Sequence, residues 1–185
     1  LNVTVALSRL GWGGRAQWVS VVPSGLLGDD FLGLLAKAYP DGHGEENLSL
    51  VRREEGDLGI YHVWPQEHKL VYQRHRSVFG LMDPAWFGED FWLRQLVGGQ
   101  PHVLHLTGIT AQITASTHKA WWKALKVARD LKQRGARLVV TLDLNHRPSL
   151  GSWEDLWLMV EPHVGTLDLL VLSIGDLVKI GQLLH

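Results

Sequence analysis

Cysteine is absent from the 185 residues. Its absence excludes disulfide scaffolds, thiolate metal sites and a cysteine nucleophile, and it fits a reducing, cytoplasmic compartment. Long apolar runs are missing too. A membrane-spanning helix needs about 20 apolar residues, and the best stretch, Leu167 to Ile174, is short and contains Asp168. The opening residues show no charged segment followed by an apolar one, the pattern of a secretory signal. Nor is there an excess of one charge. Eighteen Lys and Arg face 19 Asp and Glu, a net charge of −1, so no chain-wide field draws the protein to nucleic acid or to an anionic membrane. The sequence has no P-loop pattern, no G-x-G-x-x-G and no G-x-S-x-G. The glycine-rich Gly11-Trp12-Gly13-Gly14 follows a helical pattern, not a strand, and reads as a helix stop and turn.

What is present is ordinary globular composition, 45% apolar and 20% charged. The length fits one domain, or one domain plus a piece of another. Tryptophan is unusually frequent, with nine copies. The chain opens on Leu1 inside a helical pattern and stops just after an apolar helical run, so it reads as part of a longer domain. Charge is uneven along it. Residues 1–92 hold 8 basic against 12 acidic side chains, and residues 93–185 hold 10 against 7.

The second half reads as repeated β-α units. His102 to Thr107, Arg137 to Leu142 and Leu167 to Leu172 are apolar strand patterns. Between them, helical spacing begins after Ser116 and runs to about Arg134, with Gly135 as its stop. Ser152, with Asp155 three residues on, opens a short helix ending near Pro162, and Asp176 to Leu184 reads as a last helix. Apolar strands alternating with helices imply a parallel sheet covered on both faces. The first half is mixed. Asn2 to Leu10 is a helical pattern with Val3, Ala6, Leu7 and Leu10 on one face; Gln17 to Val22 is a strand, and Asp29 to Ala38 a helix. Gly59 to Trp64 and Lys69 to Gln73 flank a turn-like Pro65–His68, which predicts a β-hairpin, either a flap over a site or a plain sheet edge. Asp83 to Val97 reads as one helix.

Ligands of open parallel sheets bind beyond the carboxyl ends of the strands. Those ends carry Thr107-Gly108, Asp143-Leu144-Asn145-His146-Arg147 and Ser173-Ile174-Gly175-Asp176. Asp143, Asn145 and Arg147 have period-2 spacing and share a side if the chain stays extended, as Pro148 favours. A guanidinium there either grips a carboxylate or phosphate, or pairs with the Asp to hold the loop. Tyr61, Tyr72, Arg74 and Arg76 lie on the hairpin; Tyr72 and Arg74, two apart, face the same way on a strand, and suit either an oxygen-rich ligand or an aromatic/charged cross-strand surface pair. The ten histidines do not form a metal set: His102 and His105 fall on opposite faces of a strand. The basic positions from Lys119 to Arg137 mostly follow the polar face of a helix and read as solvated.

Several segments together resemble one family, the ribokinase-like PfkB sugar kinases, and within it the 2-keto-3-deoxygluconate kinases. They are Asn2 to Gly11, Gly28-Asp29-Asp30-Phe31-Leu32-Gly33, Gly59-Ile60-Tyr61, Val71-Tyr72-Gln73-Arg74 with Ser77, His105 to Thr110, and Leu142 to Pro148 with Leu150. The resemblance implies an α/β, three-layer ribokinase-like fold with a mostly parallel sheet and a small β lid at about residues 58–76, here incomplete. It implies ATP-dependent phosphorylation of a sugar acid with ATP and Mg as cofactors. It places Asn2, Tyr61, Tyr72, Arg74, Ile109 and Arg147 against the sugar acid, with Arg74 and Arg147 at the carboxylate. It places Asn145, Ser173 and Asp176 near the nucleotide and metal, and it allows a homo-oligomer formed through the lid.

The departures are specific. The family's catalytic Asp lies in a G-A-G-D motif, and none occurs in this sequence. Most of the adenine-binding region, the first strand and the Gly-Gly before Asn2 have no counterpart either. The family's N-x-x-E segment appears as Ser173-Ile174-Gly175-Asp176. Phosphoryl transfer rests on positioning and charge stabilisation, so this chain alone is expected to perform none. The rival readings are a non-catalytic sugar-acid-binding module and a fructokinase or ribokinase branch.

Overall fold

The computed structural model describes residues 1–12, 15–40, 42–98 and 100–183. Gly13 and Gly14 of the glycine-rich turn, and Leu184 at the expected end of the last helix, lie outside them. The chain divides into two compact units, Leu1–Met82 and Asp83–His185.

The first unit opens with helix α1 (Asn2–Arg9). Its buried side differs from the expected apolar face. Ser8 is buried and Thr4 meets the Tyr39 hydroxyl at 2.8 Å, whereas Val3 and Leu10 are exposed. Strand β1 (Ser20–Pro23) is shorter than the apolar run suggested and leads into α2 (Leu26–Lys37), which begins three residues before Asp29. Gly28 permits that start, because a Cβ there would lie 1.8 Å from the Pro23 carbonyl oxygen. The short helix α3 (Gly44–Asn47) and strand β2 (Val51–Glu54) do not show in the sequence pattern. Val-Arg-Arg-Glu is too charged to read as a strand, yet β2 pairs in parallel with β1. Arg53 fastens the pair to α2: Nε donates to the Pro23 carbonyl at 2.8 Å and Nη2 to Asp29 at 2.7 Å. Strands β3 (Ile60–Trp64) and β4 (Lys69–Gln73) form the expected antiparallel hairpin, turned by a 3-10 segment over Pro65–Glu67.

The second unit begins with a 3-10 turn, Pro84–Phe87, and α4 (Glu89–Leu96). The single helix expected over 83–97 is broken because Gly88 is extended, with ψ −174°. Strands β5 (His102–Thr107), β6 (Leu138–Asp143) and β7 (Leu169–Val171) form a parallel sheet in that order. Two helices, α5 (Gly108–Ile113) and α6 (Ala115–Gln133), follow β5 where one was expected. Thr114, not Ser116, caps the longer one, since α5 fills the preceding turn; its hydroxyl accepts from the Thr117 amide. Gly135 ends the helical region with φ +82°. Helix α7 (Trp153–Val160) is capped by Ser152 as expected, and α8 (Ile174–Leu183) follows β7.

Leu104, Val140 and Leu142 of the sheet, Trp121, Leu125 and Ala128 of α6, and Leu156 and Val160 of α7 are all buried. The opposite positions on the sheet, Val103, Val139, Leu169 and Val171, are exposed. Lys132, expected to be solvated, instead donates to Asp168 at 2.7 Å and to the Thr166 carbonyl at 2.9 Å. Among the described residues no helix is long and apolar enough to cross a membrane. This is an α/β fold with mostly parallel strands.

Candidate functional site

In the first unit the expected residues lie on α1 and on the hairpin. Tyr61 and Tyr72 are direct partners across β3 and β4, with ring centroids 5.8 Å apart. Arg74, one residue past β4, lays its guanidinium 4.0 Å from the centre of the Tyr72 ring. The two side chains therefore lie on one side, as their spacing predicts. Ser77 holds the backbone there, its hydroxyl donating to the Arg74 carbonyl at 2.7 Å. The Arg74 fork stays uncommitted to any carboxylate among the described residues. Tyr61 is exposed on the hairpin, and Asn2 is exposed as the first residue of α1.

In the second unit the remaining residues gather at the carboxyl ends of the strands. The segment between β6 and α7, residues 144–152, is held at several points. The Leu144 amide donates to the Val171 carbonyl at 3.0 Å. His146 Nε2 donates to the Gly151 carbonyl at 3.0 Å, and Gln112 Nε2 to the Ser152 carbonyl at 3.2 Å. Gly108 lets the start of α5 come close to this loop, since a Cβ there would fall 2.2 Å from the Leu144 oxygen. Ile109 is half-buried beside it and donates its amide to Thr107 Oγ1.

The extended course expected through Asp143, Asn145 and Arg147 does not occur. Asn145 takes φ +47°, a left-handed conformation that asparagine tolerates better than most residues. The period-2 alternation breaks at that residue, because Pro148 restrains only Arg147 and not the positions before it. Asp143 and Arg147 form no ion pair, so the loop-holding alternative is not what the structure shows. Arg147 is exposed, and among the described residues its guanidinium has no hydrogen-bond or ionic partner.

Ser173 and Asp176 meet at the start of α8. The Ser173 amide and hydroxyl both donate to Asp176 Oδ2, at 2.9 and 2.7 Å, and the Asp176 amide returns a bond to Ser173 Oγ at 3.1 Å. Trp153 Nε1 donates to Oδ1 at 2.9 Å. Burial works to raise the Asp176 pKa, but the bonds from Ser173 and Trp153, with His146 nearby, hold it below the usual carboxylate value. A carboxylate so engaged does not fit a bidentate cation ligand, because Oδ2 already accepts two bonds from Ser173 and Oδ1 one from Trp153, and a metal on both oxygens would take a partner from a buried N–H or O–H. The sequence reading missed Trp153 as a polar partner. The Ser-x-x-Asp spacing at 173–176 was available as a capping signal, the same one that identifies Ser152 and Asp155.

No protein-family model matches the chain. Solved structures do. A 2-dehydro-3-deoxygluconokinase from Thermotoga maritima is 26% identical with a TM-score of 0.75, over 96% of this chain and 50% of that one. A PfkB family carbohydrate kinase from Listeria grayi is 25% identical with a TM-score of 0.71, over 98% and 52%. An aminoimidazole riboside kinase from Salmonella enterica, crystallised with aminoimidazole riboside and an ATP analogue, is 14% identical with a TM-score of 0.67, over 97% and 52%, and shows the fold alone. The chain spans about half the length of the solved structures it matches. The fold is thus ribokinase-like, and the structural neighbours are carbohydrate kinases.

Proposed function

We propose that this chain, whose structural neighbours are carbohydrate kinases of the PfkB and ribokinase type, supplies the sugar-acid-binding part of such a kinase. The parent reaction is the ATP-dependent phosphorylation of a hydroxyl on a sugar acid such as 2-keto-3-deoxygluconate. The observation that carries the acid reading is the uncommitted guanidinium of Arg147 on a pinned strand-end loop of the second unit; within the first unit Arg74, stacked on Tyr72, likewise engages no carboxylate among the described residues. A fork with free donors recognises a carboxylate bidentately, a charge-assisted contact stronger than the single bonds that the hydroxyls of a neutral sugar accept. Likeness over nearly the whole chain to a 2-dehydro-3-deoxygluconokinase supports the same class.

In this reading Asn2, Tyr61, Tyr72, Arg74, Ile109 and Arg147 contact the sugar acid, and the β3–β4 hairpin is part of a lid that excludes water. Asn145 and Ser173 stand on the nucleotide side, where ATP and Mg would supply the phosphoryl group and its charge neutralisation. Asp176, engaged by Ser173 and Trp153, does not fit a bidentate ligand for that cation.

Calorimetry with 2-keto-3-deoxygluconate against fructose tests the proposal. Tighter binding of the acid, lost in Arg147→Ala, is expected. Better binding of fructose with no effect of Arg147→Ala would overturn it. A kinase assay on the 185-residue chain is expected to show no turnover.

A further inference from the structure

We propose that Trp153, Ser173 and Asp176 form a clasp that positions the Arg147 loop, and that Asp176 serves this clasp and not a divalent cation. The loop's role in binding rests on the function proposed above, but the clasp itself rests on geometry.

Three donors converge on the Asp176 carboxylate from two directions. Ser173 approaches from the chain just before α8, with its amide and its hydroxyl. Trp153 approaches from the first residue of α7, with its indole N–H. The Asp176 amide closes the set by donating to Ser173 Oγ. The Ser173 part is a reciprocal capping box for α8. The Trp153 part is not local. It ties the start of α7 to the start of α8 across 23 residues. Asp176 and Trp153 are both buried, at 8% and 2% exposure, so water cannot stand in for any partner that is lost.

Trp153 is also the point at which the Arg147 loop ends. Residues 144–152 enter from β6 through the Leu144–Val171 bond and leave through Ser152 into Trp153. Trp153 is further fixed by stacking on Trp157, with centroids 5.7 Å apart and planes within 7°. A cation on both oxygens would have to displace a Ser173 donor from Oδ2, and one at the remaining Oδ1 site would crowd the indole N–H that fixes the loop's exit. Cation binding and loop positioning therefore compete at one buried carboxylate, whose Oδ2 is filled by two bonds and whose Oδ1 holds the indole.

The test uses the full 185-residue chain with Trp153→Phe, Asp176→Asn, their combination and the milder Ser173→Ala. Lys132→Ala serves as a destabilising control that leaves the clasp intact. Amide hydrogen exchange of residues 144–152 is measured in each, with Mn2+ binding followed by electron paramagnetic resonance. Faster exchange confined to 144–152 and to α8 is expected in Trp153→Phe and Asp176→Asn. The double variant should be no worse than the worse single one, and Lys132→Ala should not move this segment. Where the wild-type chain binds 2-keto-3-deoxygluconate, affinity should fall 3- to 10-fold in both single variants. Should Trp153→Phe or Asp176→Asn fail to fold, the same exchange comparison is made with Ser173→Ala. Unchanged exchange at 144–152, or Mn2+ binding in the wild type that Asp176→Asn abolishes and Trp153→Phe spares, would overturn the clasp. Absence of any sugar-acid binding by the wild type would count against the proposed function only, because the exchange result still decides the clasp.

Discussion

The indole N–H of Trp153 donates to Oδ1 of Asp176 at 2.9 Å, joining the first residue of one helix to the first turn of another. The bond is buried at both ends. It joins a tryptophan that opens α7 and a polar strand end, far apart in the sequence, into one structural unit beside the Arg147 loop. Hydrogen bonds to charged groups contribute about 1.5–3 kcal/mol, so this one weighs heavily against a total stability of roughly 5–15 kcal/mol.

Arg147→Ala should weaken sugar-acid binding without weakening the fold. The guanidinium is exposed and has no partner among the described residues, so its removal should change stability by no more than about 0.5 kcal/mol. Loss of a bidentate charged contact should cost about 1.5–3 kcal/mol of binding, read by calorimetry as a drop in affinity of roughly 10- to 100-fold. Thermal unfolding of the same sample checks the first half of this statement.

Gly108→Ala should destabilise the second unit. The new methyl would sit 2.2 Å from the Leu144 carbonyl oxygen and 3.1 Å from Leu156 Cδ1. Backbone on one side and a buried leucine on the other leave little room to yield. Overpacking of this kind costs about 1–3 kcal/mol, and differential scanning calorimetry should show the midpoint falling by several degrees. An unchanged midpoint would mean that α5 can withdraw from the loop.

Arg53→Lys should behave like Arg53→Ala. The guanidinium bonds the Pro23 carbonyl and the Asp29 carboxylate together, at 2.8 and 2.7 Å. An ammonium is a point donor and cannot span the two positions from one side chain in the same way. Both variants should lose about 1–2 kcal/mol in urea unfolding; full rescue by lysine would show that charge alone, not the fork, holds β2 to α2.

The Lys132–Asp168 link predicts an acid-sensitive fold. The hydrogen bond from Lys132, followed by that from the Val140 amide, holds Asp168 below its ordinary pKa. The unfolded chain therefore takes up this proton at a higher pH than the folded one. The stabilisation is present above the ordinary carboxylate value of about 3.9 and is lost as pH falls through the depressed folded value. Melting temperatures measured from pH 7 down to pH 3 should decline, and Asp168→Asn should flatten part of that decline while lowering the neutral-pH value.

Local chemistry made much of this molecule legible. The apolar runs at 102–107 and 137–142, each within one residue of the strand observed, the stop at Gly135, the cap at Ser152 and the hairpin at 59–73 all follow from periodicity, turn residues and helix ends, which depend on near neighbours in the chain. The Tyr72–Arg74 arrangement was legible for the same reason. What the sequence by itself could not determine is what needs a distant partner. Val51–Glu54 becomes a strand only because β1 offers it a ladder and Pro23 and Asp29 take up its arginine. The buried side of α1 is the Thr4–Ser8 side because Tyr39 supplies a hydroxyl there. Asn145 turns left-handed where its spacing suggested an extended chain. Asp176 reads as an open polar group at a strand end, and only the packing of α7 against its carboxylate makes it a buried, fully engaged one. The alternating strand and helix patterns of the second half carried the α/β class of the molecule. Which polar groups stay uncommitted, as Arg147 does among the described residues, and which are consumed by the fold was decided by contacts between residues far apart in sequence, since burial and hydrogen-bond satisfaction are properties of the assembled structure.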